Sequence, residues 1–158
     1  MSNWSKWKDI SSIDNLAGQL SKIPGVYKMR LSNSAGRAHP IGRLLDADKK
    51  GVLAIGESAN LARRIKEFHR AYIGDRFMRH SVGDRLFLVL MCQYSRFKTA
   101  YQNNSEIQFA VMKLNNKTEA ETKEERLLKA YFKKFGELPP LNSLMPDKYI
   151  SWDEIIKM

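Results

Sequence analysis

The sequence contains a single cysteine, Cys92, and that scarcity excludes both an internal disulfide framework and a zinc site built on cysteine pairs. Cys92 ends an apolar stretch, so it reads as a buried thiol. Long apolar runs are missing too: none reaches the roughly 18 residues that a membrane-spanning helix needs. No basic stretch followed by an apolar core marks a secretory signal at the start. The expectation is a soluble, cytoplasmic protein. Acidic residues are the minority, with 17 Asp and Glu against 27 Lys and Arg, a formal charge of +10. That excess favours a polyanionic partner, nucleic acid foremost, because bound cations neutralise phosphates and release counterions. A membrane surface is the other polyanion, and a basic scaffold with a protein partner has the same composition.

With 158 residues, 43% of them hydrophobic, the chain is long enough to bury a core and short enough to be one domain. Its organising stretch is Gly51 to Tyr72, GVLAIGESANLARRIKEFHRAY: an apolar strand, a Gly-centred turn and an amphipathic helix. Leu61, Ile65, Phe68 and Tyr72 recur at helical spacing and form the buried face. Ser58 or Asn60 supplies the cap, and Gly74 the stop. Arg64, three after Leu61 and four before Phe68, falls at the edge of that face, whereas Arg63, Lys66 and Arg70 carry positive charge around the helix. A solvated basic face that keeps a core helix soluble has the same pattern.

Before this stretch, Trp4 and Trp7 precede a short helix capped by Ser11 or Ser12, with Ile13, Leu16 and Leu20 inward. The two indoles are expected to pack onto the domain, since leaving them free would expose apolar area. Pro24-Gly25 ends that helix and opens a strand, Val26 to Leu31, with Tyr27, Met29 and Leu31 on one face and Lys28 and Arg30 on the other. Ser32 to Lys50 is interrupted by Gly36, Pro40 and Gly42 and reads as a loop. Asp75 to His80 reads as a helical turn ended by Gly83, and Leu86 to Cys92, LFLVLMC, as a central strand covered on both faces. Asn104 to Leu114 pairs Ser105 with Gln108 as a capping box and places Ile107, Val111 and Leu114 at helical spacing, so a short helix is expected there.

A last helix starts with the capping box Thr118 and Glu121 and runs to Phe135, stopped by Gly136. Its apolar stripe is Leu127, Leu128, Tyr131 and Phe135, and one turn backward that stripe lands on Glu124. A carboxylate in line with a buried stripe is costly unless a cation, an arginine or a metal ion meets it. A solvated carboxylate near the positive helix N-terminus is the plainer alternative.

The ordered set of Gly25-Val26-Tyr27 in one strand, Ala54-Ile55-Gly56 in another, Arg64 in the following helix, Glu124 in a later helix and Asn142 after a proline resembles the GIY-YIG nuclease family. The resemblance spans about Ile23 to Asn142, leaving residues 1–22 as an N-terminal helical extension and 143–158 as a short C-terminal one. It implies an α+β fold, a small three-stranded, mainly antiparallel sheet flanked by helices. It also implies a metal-dependent endonuclease acting on nucleic acid, most simply double-stranded DNA. Tyr27 would orient or deprotonate the attacking water, Arg64 would neutralise charge on the phosphoryl oxygens, and Glu124 would hold a divalent ion, Mg2+ or alternatively Mn2+. Asn142 would bridge nearby backbone segments. Lys28, Arg63, Lys66 and Arg70 are the expected contacts to the nucleic-acid backbone.

Three departures mark this chain within the resemblance. Ala54 stands where the family has the YIG tyrosine, and Phe68 where members often carry Tyr or His. His69, the candidate substitute for the second, is one residue away and about 100° around the helix. Glu57 replaces what is often a lysine or a small residue, and its charge would disfavour phosphate. A nucleic-acid-binding domain that no longer cuts is therefore the alternative function.

Overall fold

The computed structural model describes residues 3–33, 35–75, 77, 80–89 and 106–143. The elements in chain order are β1 (Lys8–Asp9), a 3-10 turn (Ile10–Ser12), α1 (Ile13–Leu20), β2 (Gly25–Ser32), β3 (Ile41–Gly42), β4 (Ala47–Asp48), β5 (Val52–Ser58) and α2 (Leu61–Tyr72). A helix over residues 81–89, here α3, β6 (Glu106–Lys113) and α4 (Lys117–Phe135) follow.

The main sheet is antiparallel with strand order β1-β6-β2-β5, so the α+β architecture implied by the resemblance is present. Three strands make up most of the sheet, and the two-residue β1 adds a fourth at one edge. A hairpin of β3 and β4 interrupts the segment read as loop. Because successive strand side chains alternate, β2 sends Tyr27, Met29 and Leu31 to one face and Val26, Lys28 and Arg30 to the other. The first face is covered by α1, α2 and α3 through Ile13, Leu61, Ile65, Phe68, Val82 and Leu86. The second is covered by α4, whose Leu128, Tyr131 and Phe135 pack on Val52 and Ile55, with Ala120 on Val26 and Met112.

The organising helix forms as its spacing dictates. Leu61, Ile65 and Phe68 are fully buried, and Asn60 is the cap, its side-chain oxygen accepting the Arg63 N–H at 3.1 Å. The terminal tryptophans pack onto the domain. Lys28 lies 4.3 Å above the Trp4 ring and the Arg30 guanidinium 4.3 Å above the Trp7 ring, each cation meeting the electron-rich ring face. The Ser5 N–H donates to the Val111 carbonyl at 2.8 Å, so the N-terminal segment joins the sheet.

Three expectations are corrected. Residues 106–113 form strand β6 in place of the helix read over Asn104 to Leu114. The interval of four between Ile107 and Val111 fits both a helical and an alternating period. What decides is that β6 pairs along its whole length with β2, Gly25↔Lys113 to Ser32↔Glu106, and both of its faces are covered. Conversely, 81–89 is helical, so the Leu86 to Val89 half of the expected central strand belongs to α3 and Gly83 lies inside that helix. Val82 and Leu86, four apart, are its buried residues, while Leu88 and Val89 are exposed. The remainder of that run, including Cys92, lies outside the described residues, as does the C-terminal segment beyond residue 143. The start of α4 also moves: Asn116 is the cap, accepting the Glu119 N–H at 2.8 Å, and the Glu119 carboxylate reaches back to the Asn115 N–H.

Phe68 is the largest side chain shared between α2 and the sheet, and it has no exposed surface. Phe68→Ala is expected to destabilise the fold by about 3–5 kcal/mol, measured as a shift of the urea unfolding midpoint at unchanged slope.

Candidate active site

The hollow at the outer edge of β5 begins with a close approach of two residues paired in register, Tyr27 and Gly56. The phenol crosses directly over Gly56: a Cβ at that position would stand 2.3 Å from the Tyr27 hydroxyl oxygen. No side chain larger than hydrogen fits beneath the ring without displacing it. The tyrosine therefore runs from the α2-covered face of the sheet to its edge. There the hollow, about 160 Å3 in volume, is lined by Tyr27, Gly56, Glu57, Arg64, Arg85 and Glu124 among others.

Each of these side chains arrives on a different element. Arg64 comes from α2, one-third exposed, with one nitrogen 3.6 Å from Glu67 and its charge within hydrogen-bonding reach of the Tyr27 phenol. Glu124 comes from α4 on the opposite face of the sheet, and the Glu57 backbone N–H donates to its carboxylate. Asn142 sets the wall. Its side-chain oxygen accepts the Ile55 N–H at 2.9 Å and its amide donates to the Ile55 carbonyl at 2.8 Å, imitating a further strand at the β5 edge. The Leu141 N–H donates to the Leu53 carbonyl at 2.9 Å and continues that edge pairing.

The family model for GIY-YIG domain-containing proteins matches residues 5–135. The chain belongs to the GIY-YIG domain family. No curated protein and no solved structure matches it. Membership gives this GIY-YIG domain a nuclease-type function, in a family that acts on nucleic acids. Among the described residues, no helix is long and apolar enough to cross a membrane.

The electrostatics of the GIY-YIG site follow from burial against charge. Desolvation pushes the Tyr27 phenol above its ordinary value, and the Arg64 guanidinium opposes that rise without reversing it, so the hydroxyl keeps its proton at neutral pH. Burial, reinforced by the neighbouring Glu57 carboxylate, pushes Glu124 up to about 7, although Arg64 pulls the other way. Glu57 is itself raised by burial, which Lys117 partly offsets. Two carboxylates share a small concavity, and one oxygen of Glu57, Oε2, is buried with no hydrogen-bond partner. Their hard oxygens are donors of the kind that Mg2+ and Mn2+ take. Among the described residues, no group of three or more His, Cys, Asp or Glu side chains is placed to hold a metal ion.

Not every expected residue comes to the hollow. His69 is not part of its lining. One step around α2 from Phe68, it lies beside Tyr72, ring centroids 6.1 Å apart, and toward Asp14 of α1. Ala54 is fully buried in the core opposite Met29, so no phenol extends from that position. Arg63, Lys66 and Arg70 are ion-paired with Glu67, Asp14 and Asp75 on the outer surface of α2. Lys28 lies on the other face of the sheet, against the Trp4 ring. The four cations thus form no single stripe. Exposed pairs of this kind are screened by solvent and contribute little to stability.

Two residues escaped the sequence reading. Arg85 lines the hollow from α3, donating to the Leu141 carbonyl at 2.5 Å and to the Ser143 hydroxyl at 2.8 Å. The signal was the interval of four between Val82 and Leu86, which puts Arg85 on a helix rather than before a strand. His80 is 1% exposed behind Arg64, edge-on to Phe68, with Nδ1 accepting the Gly83 N–H at 3.3 Å and Nε2 without a partner.

Burial and the Arg64 charge hold His80 down at about 4, against about 6.5 in an unfolded chain. The unfolded state therefore takes up the proton first. The His80 contribution to stability is full above pH 6.5 and is lost as the pH drops from 6.5 toward 4, by about 3 kcal/mol, whereas Glu124, raised to about 7, contributes in the opposite direction as the pH falls through 7. His80→Phe should remove that loss, so that the variant gains stability relative to the parent as the pH falls, as followed by urea unfolding of both proteins between pH 7 and 4.

Proposed function

We propose that the chain is a metal-dependent endonuclease that hydrolyses phosphodiester bonds of double-stranded DNA with Tyr27, Arg64 and Glu124. The observation that carries the reading is the convergence of these three side chains, from β2, α2 and α4, on one small hollow.

The scissile phosphate would enter against Arg64, whose planar fork suits two phosphoryl oxygens and stabilises the charge that grows on them in the transition state. The Tyr27 phenol, kept neutral by burial, holds the attacking water by hydrogen bonding and sets its line of approach to phosphorus. The new P–O bond forms from the water oxygen as the opposite P–O bond breaks. The products are a phosphate monoester and a free hydroxyl, with the water proton reaching the leaving oxygen through solvent. Glu124 would hold the divalent ion, which supplies Lewis-acid polarisation of a non-bridging oxygen when bound. Arg85 and Asn142 keep the wall of the hollow in place through their bonds to Leu141, Ser143 and Ile55.

Ala54 supports a second reading, a GIY-YIG domain that binds nucleic acid without cutting it, because the phenol the family carries there is absent. A supercoiled-plasmid nicking assay with Mg2+ separates the two. The parent is expected to nick, with Arg64→Ala and Glu124→Gln each slower by about 100-fold or more and Tyr27→Phe by about 100-fold. Nicking that is equally weak in parent and variants, alongside salt-sensitive DNA binding, would establish the binding domain instead.

A further inference from the structure

We propose that Glu57 is the second carboxylate of the ion site, so that Glu57 and Glu124 together grip one divalent cation between the edge strand and α4. The proposal rests on the nuclease reading for the purpose of the ion, but its geometry stands by itself. Glu57 follows Gly56 on β5 and, paired with Val26, projects toward the α4 face of the sheet. Its backbone N–H donates to the Glu124 carboxylate, and both side chains line the same 160 Å3 hollow.

One oxygen of Glu57, Oε2, is buried and has no hydrogen-bond partner. A buried acceptor in that condition forfeits its hydration and gains nothing in return. Lys117 and Arg64 offset the Glu57 charge in part, but neither hydrogen-bonds that oxygen. Lys117 pairs with Glu121 at 3.1 Å, Arg64 is shared between Glu67 and the Tyr27 phenol, and Arg85 is taken up by Leu141 and Ser143. A divalent ion answers both the orphaned oxygen and the repulsion between the two carboxylates. Magnesium and manganese suit the donors, because they bind through one or two carboxylates and complete their shell with waters and substrate phosphate. The acidic residue that would repel a phosphate in an ion-free hollow then becomes part of what attracts it.

The test is titration of the full chain with Mn2+ in the absence of nucleic acid, reading free Mn2+ by its electron paramagnetic resonance signal. The parent is expected to bind one equivalent, and both Glu57→Gln and Glu124→Gln to raise the dissociation constant at least about tenfold. Glu125→Gln, which alters a partly exposed pair with Lys129, should leave it unchanged. Thermal unfolding guards against a misfolded variant: without metal, Glu57→Gln should melt no lower than the parent, and Mn2+ should raise the melting temperature of the parent only. Equal affinity in parent and Glu57→Gln, or a parent that binds no Mn2+ at millimolar concentration, would overturn the proposal. Glu57-dependent Mn2+ binding by a parent that does not nick DNA would sustain it and remove the nuclease reading. A parent that nicks while Glu57→Gln binds Mn2+ equally well would do the reverse.

Discussion

The site depends on the passage of one aromatic ring over one glycine. Tyr27 belongs by strand alternation to the face that carries the main core, and left to that alternation alone its hydroxyl would end among Phe68, Leu61 and Met29. Because Gly56 has no Cβ, the ring can lie flat across the edge strand and deliver its oxygen to the boundary between the two helical layers. Arg64 meets it from one layer and Glu124 from the other. A sheet only one strand thick at that edge is what lets groups from opposite faces share a hollow.

That arrangement keeps Tyr27 buried and Arg64 and Glu124 partly buried, and their charges settle against one another. The phenol stays protonated although a guanidinium is close, since removal from water outweighs the attraction. Both carboxylates are raised by the same desolvation, Glu124 further by Glu57 and Glu57 by Glu121. Such a constellation is unfavourable for stability in isolation and is found where a protein holds a site ready for a charged ligand. Its cost is carried by the cores on either side: Leu61, Ile65 and Phe68 beneath α2, and Leu128, Tyr131 and Phe135 beneath α4.

Legibility in the sequence followed the strength of local periodicity. Helix α2 and the buried face of β2 could be read because their apolar positions repeat at one period only, and α4 because its stripe ends at a glycine with positive φ. The anomaly of Glu124 was legible for the same reason, a carboxylate standing where the stripe predicts an apolar residue. The segments 86–89 and 106–113 differ from their sequence reading in opposite directions, helix in place of strand and strand in place of helix. Unbroken or evenly spaced apolar residues satisfy both periods, and only pairing of β6 with β2 resolves them. Arg85 and His80 went unseen because their roles rest on that misread helix.

By itself the amino-acid order determined the family, the α+β class, the capping of α2 and the chemical types of the groups that could act on a phosphodiester, since each depends on neighbours a few residues apart. Which of those groups meet was decided only by the tertiary structure. It turned His69 toward α1, left Ala54 in the core, and set Glu57 beside Glu124, 67 positions later in the chain. The reason is physical: charge, burial and lost hydration act through space, and a strand edge packed between two helical layers brings together residues that no sequence interval connects.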